Sequence, residues 1–179
     1  MIDIKYILKE EDFLQANLYF FKKEGKLKQI ILRTWLAYLF IISIIIGFLV
    51  WKEEMLMALV LVCILAIITF FHSGRMRRHY FHYYKKKVKV YESRFFKEVK
   101  LKVTDTHLHN ESVAGQSNVF LAQISSIDET QNYFSIKLKF EGIIIPKSEV
   151  NNVVDFRNDL IELAKKVNVQ YQEDLNWKW

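Results

Sequence analysis

The chain has 179 residues, a formal charge of +6, 51% hydrophobic residues and one cysteine. One cysteine excludes an internal disulfide framework and a cysteine-based zinc site. Five glycines and one proline are too few for a collagen-like or loop-dominated chain. The mean hydropathy of +0.04 is that of a soluble protein, but it averages over sharply segregated stretches.

Residues 1–9 alternate Ile2, Ile4, Tyr6 and Leu8 on one side, the period of a strand with one buried face. Glu11 and Asp12 then open a helix with Leu14, Leu18 and Phe21 on one face. Tyr19, Phe20 and Phe21 beside Lys22 and Lys23 suit either a helix lying at a membrane surface or one packed on a folded domain.

Thr34 to Trp51 contains no charged residue, and Met55 to Gly74 contains no Asp, Glu, Lys or Arg. At about 1.5 Å per helical residue each run is roughly 27–30 Å long, the thickness of a bilayer's hydrocarbon core. A charge at the centre of such a span costs about 2.5–3.5 kcal/mol, which accounts for the composition. Only Lys52, Glu53 and Glu54 separate the runs, so they form an antiparallel hairpin. Lys22, Lys23, Lys26, Lys28 and Arg33 precede it and Arg75, Arg77 and Arg78 follow it. The positive-inside rule therefore places both termini in the cytoplasm and the connecting loop outside. The first run starts too late for a cleaved leader and is expected to act as an anchor. Gly47 is the one position in the first run that offers close approach to the second helix.

Beyond the second run, Met76, Tyr80, Tyr84, Val88, Tyr91 and Phe95 recur at helical spacing. The charge is distributed as +2 before the first run, −1 in the loop, +9 from Arg75 to Val103 and −4 thereafter. Arg75, Arg77, Arg78, Lys85, Lys86 and Lys87 are candidates for contact with anionic lipid headgroups, at about 1 kcal/mol per residue near the surface. The same residues are also explained by topology alone. An adjoining bilayer accounts for the charge and disfavours nucleic acid as a partner.

From Glu98 the period becomes two. Strands are expected at 98–103, at 106–112, at 118–122, and from Tyr133 to Phe140, with turns at 110–115 and 129–132. A short buried strand, Gly142 to Pro146, precedes a helix carrying Val153, Phe156, Leu160, Leu163 and Val167, with Asn151 or Asn152 as its cap. The expected fold class is an α+β membrane protein: a transmembrane helical hairpin plus a small antiparallel β domain with a C-terminal helix. The boundaries are 1–33 for the N-terminal strand and amphipathic helix, 34–74 for the hairpin (34–51 and 55–74), 75–97 for a basic juxtamembrane helix and 98–179 for the β domain.

Glu10-Glu11-Asp12-Phe13-Leu14-Gln15-Ala16-Asn17-Leu18-Tyr19, Val103-Thr104-Asp105, Ile124-Ser125-Ser126-Ile127, Asn132-Tyr133-Phe134 and Ile143-Ile144-Ile145-Pro146-Lys147 occur in that order, followed by the Phe156-bearing helix. With these motifs the whole chain resembles the YcxB-like family of bacterial two-span membrane proteins. It departs from the family pattern at Phe120, Leu121 and Gln123, where a tryptophan is common. The resemblance implies a pleckstrin-homology-like (PH-like) domain at the cytoplasmic face of a bacterial inner membrane, with no catalytic site to carry over.

No nucleotide loop, nucleophile elbow or H-E-x-x-H is present. His79 with His82, and His107 with His109, fall short of the three or four ligands of a metal site. No cofactor and no enzyme activity are therefore expected. The functions that fit are a membrane-anchored binding module with a protein partner and, as the alternative, an immunity protein acting on a toxin by binding alone. Trp177 and Trp179, aromatic residues near the chain end, are candidate partner contacts.

Overall fold

The computed structural model describes residues 2–92, 95–113, 115–139 and 142–179. The chain divides into two units, Met1–Ala16 with Lys87–Lys178, and Asn17–Lys86 with Trp179.

Among the described residues the first unit has eight strands in two four-stranded sheets. One sheet has the order β1 (Asp3–Ile7), β2 (Glu98–Val103), β3 (His107–Ser112), β4 (Gly115–Phe120) and is antiparallel throughout. The other has the order β7 (Gly142–Pro146), β6 (Tyr133–Leu138), β5 (Ile124–Thr130), β8 (Tyr171–Asp174). Strict alternation in β2 buries Val99, Leu101 and Val103 and exposes Glu98, Lys100 and Lys102, as period two requires. The inward residues of both sheets meet Phe156, Leu160, Leu163 and Ala164 of helix α4 (Val153–Lys166) in one core. Asn152 is the cap of α4, its side chain accepting the backbone N–H groups of Val154 and Asp155 at 3.1 and 3.3 Å. Pro146 sits on the edge strand β7, where a missing N–H costs no ladder bond.

The structure corrects the expected fold class in two respects. The helix is not the last element, because β8 follows it. The second sheet is mixed, because β8 adds parallel to β5 through pairs such as Ile127↔Tyr171 and Glu129↔Glu173. The expected turn at 110–115 is also shorter, since Asn110 and Glu111 pair with Leu101 and Lys100 and extend β3. Phe140, expected on the inner face of β6, lies outside the described residues.

β1 is hydrogen-bonded to β2 although roughly ninety residues separate them in sequence, so α1 (Glu10–Lys23), α2 (Lys26–Trp51) and α3 (Met55–Lys89) are an insertion between two neighbouring strands. Asp12 reaches back to accept the Lys9 N–H at 2.9 Å and fixes the start of α1. Within the first unit Phe13 packs on Tyr91 and Phe95 at ring separations of 5.4 and 6.0 Å.

The second unit is helical. Gly25 adopts φ +71°, the left-handed region that a side chain disfavours, and there the chain passes from α1 into α2. Both long helices are apolar enough to cross a membrane, with peak mean hydropathies of 2.2 and 2.7, and 0% and 11% of those stretches is buried. Phe21 packs on Tyr80 and Tyr84 at 4.9 and 5.2 Å. Leu18 and Tyr19 of α1 are also buried, and the Phe21 ring contacts are to α3 of this same unit. Gly47 faces open space and makes no close helix approach.

Candidate functional site

Three groupings stand out. The first is the basic stretch of α3. Arg75, Arg77, Arg78, Lys85, Lys86 and Lys87 are all exposed on that helix. At about 1.5 Å per residue the arginines begin within a turn of Gly74, whereas Lys85 lies about 16 Å further along the axis. The six residues therefore fall into two groups that cannot both touch one headgroup layer when the helix stands upright.

The second is a polar clamp between α2 and α3. Only 8% of His72 is exposed, and its Nε2 lies 3.0 Å from Thr34 Oγ1 and 3.3 Å from the Ile31 carbonyl. Thr34 Oγ1 in turn donates to the Ile30 carbonyl at 2.8 Å. Trp35 Nε1 donates to Thr69 Oγ1 at 3.3 Å, and the Tyr38 ring meets His72 edge-on at 5.7 Å. His72 is thus an interhelical tie rather than a free interfacial group.

The third was not legible in the sequence. Glu129 on β5 has a side chain with no exposure. Arg157 of α4 donates to it twice (Nη2 to Oε1 at 2.6 Å, Nε to Oε2 at 2.8 Å), Lys147 donates at 2.5 Å and the Tyr171 hydroxyl at 2.5 Å. Burial pushes the carboxyl pKa up, but the hydrogen bonds from Arg157, Lys147 and Tyr171 outweigh it and hold the value at about 2. Burial and the same carboxylate push the Tyr171 hydroxyl up. A carboxylate saturated by four donor contacts and ionised at neutral pH is a structural charge, not a proton acceptor. Lys147 also sits 4.9 Å above the Phe134 ring, which adds a cation–π contact.

Two open grooves flank β1 and α4. One, of about 340 Å³, is lined by Asp105, Asp159, Glu162 and Lys166 among others. The other, of about 410 Å³, is lined by Asp3, Glu149, Asp155 and Asp159 with Lys5. In both, acidic side chains outnumber basic ones. His107 and His109 lie on the outward face of β3 with ring centres 6.1 Å apart. Among the described residues no three His, Cys, Asp or Glu side chains converge as metal ligands. Of the two tail aromatics, Trp177 and Trp179 are both half-buried, and the Trp177 backbone N–H donates to the Asp174 carbonyl at 3.2 Å. Cys63 is exposed on the apolar part of α3.

Comparison of the chain with family models, curated proteins and solved structures finds no match.

Proposed function

We propose that this is a membrane-anchored, non-catalytic binding protein of the YcxB-like type. Its helical hairpin spans a bacterial cytoplasmic membrane with both termini inside, and its two-sheet unit is a PH-like domain displayed at the inner face. That unit engages a protein partner, while Arg75 and Arg77 hold anionic headgroups. The observation that carries this reading is the almost complete exposure of the two apolar helices. A core helix of a soluble protein hides such a surface; here Phe40, Ile44, Leu56 and Phe70 are all more than half exposed. Contiguous apolar surface on that scale needs a lipid or protein cover. Two four-stranded sheets around one core with α4 across it support the PH-like assignment.

Cysteine labelling of the full chain tests insertion and orientation together. In a Cys63→Ala background, Glu53→Cys is labelled by a membrane-impermeant maleimide added to intact cells, and Asn151→Cys is labelled only after the membrane is opened. The reverse pattern inverts the orientation, and labelling of both residues in intact cells removes the anchored reading. For the lipid contact, native mass spectra of the purified chain report retained phosphatidylglycerol. Replacing Arg75 and Arg77 with Gln lowers retention several-fold, and replacing Lys85, Lys86 and Lys87 leaves it unchanged. Equal losses would assign the lipid to the whole basic stretch.

A further inference from the structure

The basic helix and the acidic grooves lie on one chain, and their charges are complementary. Along the first sheet, lysines have acidic partners: Lys5 with Glu98 at 3.5 Å, Lys100 with Glu111 at 3.7 Å and Lys102 with Asp3 at 3.9 Å. Lys166 is taken by Asp105 at 2.7 Å. Arg78, Lys85 and Lys86 on α3 are exposed, and no ion pair involves them among the described residues. On an upright helix a headgroup layer at Gly74 leaves Lys85 and Lys86 out of reach. They stand about 16–18 Å along the helix from Gly74, roughly twice the ~8 Å screening length at physiological salt.

An anion of matching layout is present on α4. Asp155, Asp159 and Glu162 follow one another at steps of four and three residues, Asp155 and Glu162 are exposed, and Asp159 lines both grooves. Arg78, His82 and Lys85 repeat the same steps of four and three on an exposed face of α3. Both sets therefore span about 10 Å along a helix, and acid can face base in either relative direction. We propose that a second copy of this chain docks here, the basic face of α3 in one copy lying against the Asp155–Glu162 face of α4 in the other. This rests on the anchored reading only in that the membrane presents both copies in one orientation. The surface joined is heterologous, so the contact is made twice in a closed pair or repeats along a row.

Charge-reversal complementation on the full chain decides the matter. Donor- and acceptor-labelled chains are reconstituted at low density in neutral phosphatidylcholine vesicles, where no anionic lipid competes, and association is read by energy transfer. Wild-type chains associate at about 0.1 M salt and separate by about 0.5 M. K85E/K86E alone and D155K/E162K alone each associate at least about fivefold more weakly. A mixture of the two variants regains the wild-type signal. Wild-type chains that show no transfer overturn the proposal, as does either variant pairing with itself as well as wild type, or a mixture that stays apart. Should a reversal variant lose helicity, K85Q/K86Q and D155N/E162Q are used, and weakening of each without change in circular dichroism is expected. Failure of the hairpin to insert is seen separately, in the Glu53→Cys labelling.

Discussion

Glu129 makes the two-sheet unit sensitive to acid. Its carboxyl pKa in the folded chain, about 2, lies below the ordinary value of 4.5. Its contribution is therefore complete above about pH 4.5 and is lost as pH falls toward 2. At about 1.4 kcal/mol per unit the shift corresponds to about 3 kcal/mol, and acid denaturation followed by near-ultraviolet circular dichroism should show a loss of that order. Glu129→Gln removes the dependence and costs about 3 kcal/mol at neutral pH, because Arg157 and Lys147 keep their charges beside a neutral amide. Tyr171→Phe costs less, about 1–2 kcal/mol, since one donor of several is removed from a buried acceptor. Equal destabilisation by the two variants in urea titrations would contradict this ranking. None of these contacts was readable in the sequence: Arg157 and Tyr171 lie 28 and 42 positions from Glu129, and an isolated Glu next to Asp128 reads as a turn.

At the scale of elements, regular periodicity was a reliable guide and interrupted periodicity was not. The alternation in β1 and β2 and the three-four spacing in α4 identify those elements because one face of each is uniformly apolar. β5 gives no such signal, because Asp128, Glu129 and Thr130 are buried, and for Glu129 it is charged partners from distant positions that make that burial tolerable. β8 is silent for the opposite reason: none of its four residues is fully buried, and its position comes from pairing with β5. The α4 cap is local and so was legible; Asn152→Ala should cost about 1 kcal/mol in thermal unfolding, and Asn151→Ala almost nothing. The hairpin tie lies between these cases. Both apolar runs are evident, but the pairing of His72 with Thr34 requires the two helices in register. His72→Leu should lower the stability of the detergent-solubilised hairpin by about 1 kcal/mol, with Thr34→Val costing no more than that because the Ile31 carbonyl remains.

For the whole molecule, the decisive feature is that the helices of residues 10–89 interrupt a sheet. A boundary at residue 98 separates β2 from β1 and removes Ile2 and Tyr6, exposed by only 4% and 2%, from the core. Burying each side chain contributes about 1.5–3 kcal/mol, and the vacated edge of β2 is an aggregation site. A fragment of residues 98–179 should therefore elute as aggregate in size-exclusion chromatography, and addition of a peptide of residues 1–9 should shift it toward the monomer. A monomeric, cooperatively folding fragment without that peptide would show that β1 is dispensable.

Charge segregation and two long uncharged runs follow from composition and solvent preference, which act residue by residue. They were accordingly plain in the sequence, as were the strands and helices with one apolar face. The joining of β1 to β2 across the helical insertion, the parallel addition of β8, the burial of Glu129 and the tie at His72 depend on groups tens of positions apart. Their free energy exists only once the chain has closed those loops, and a linear pattern carries no record of it.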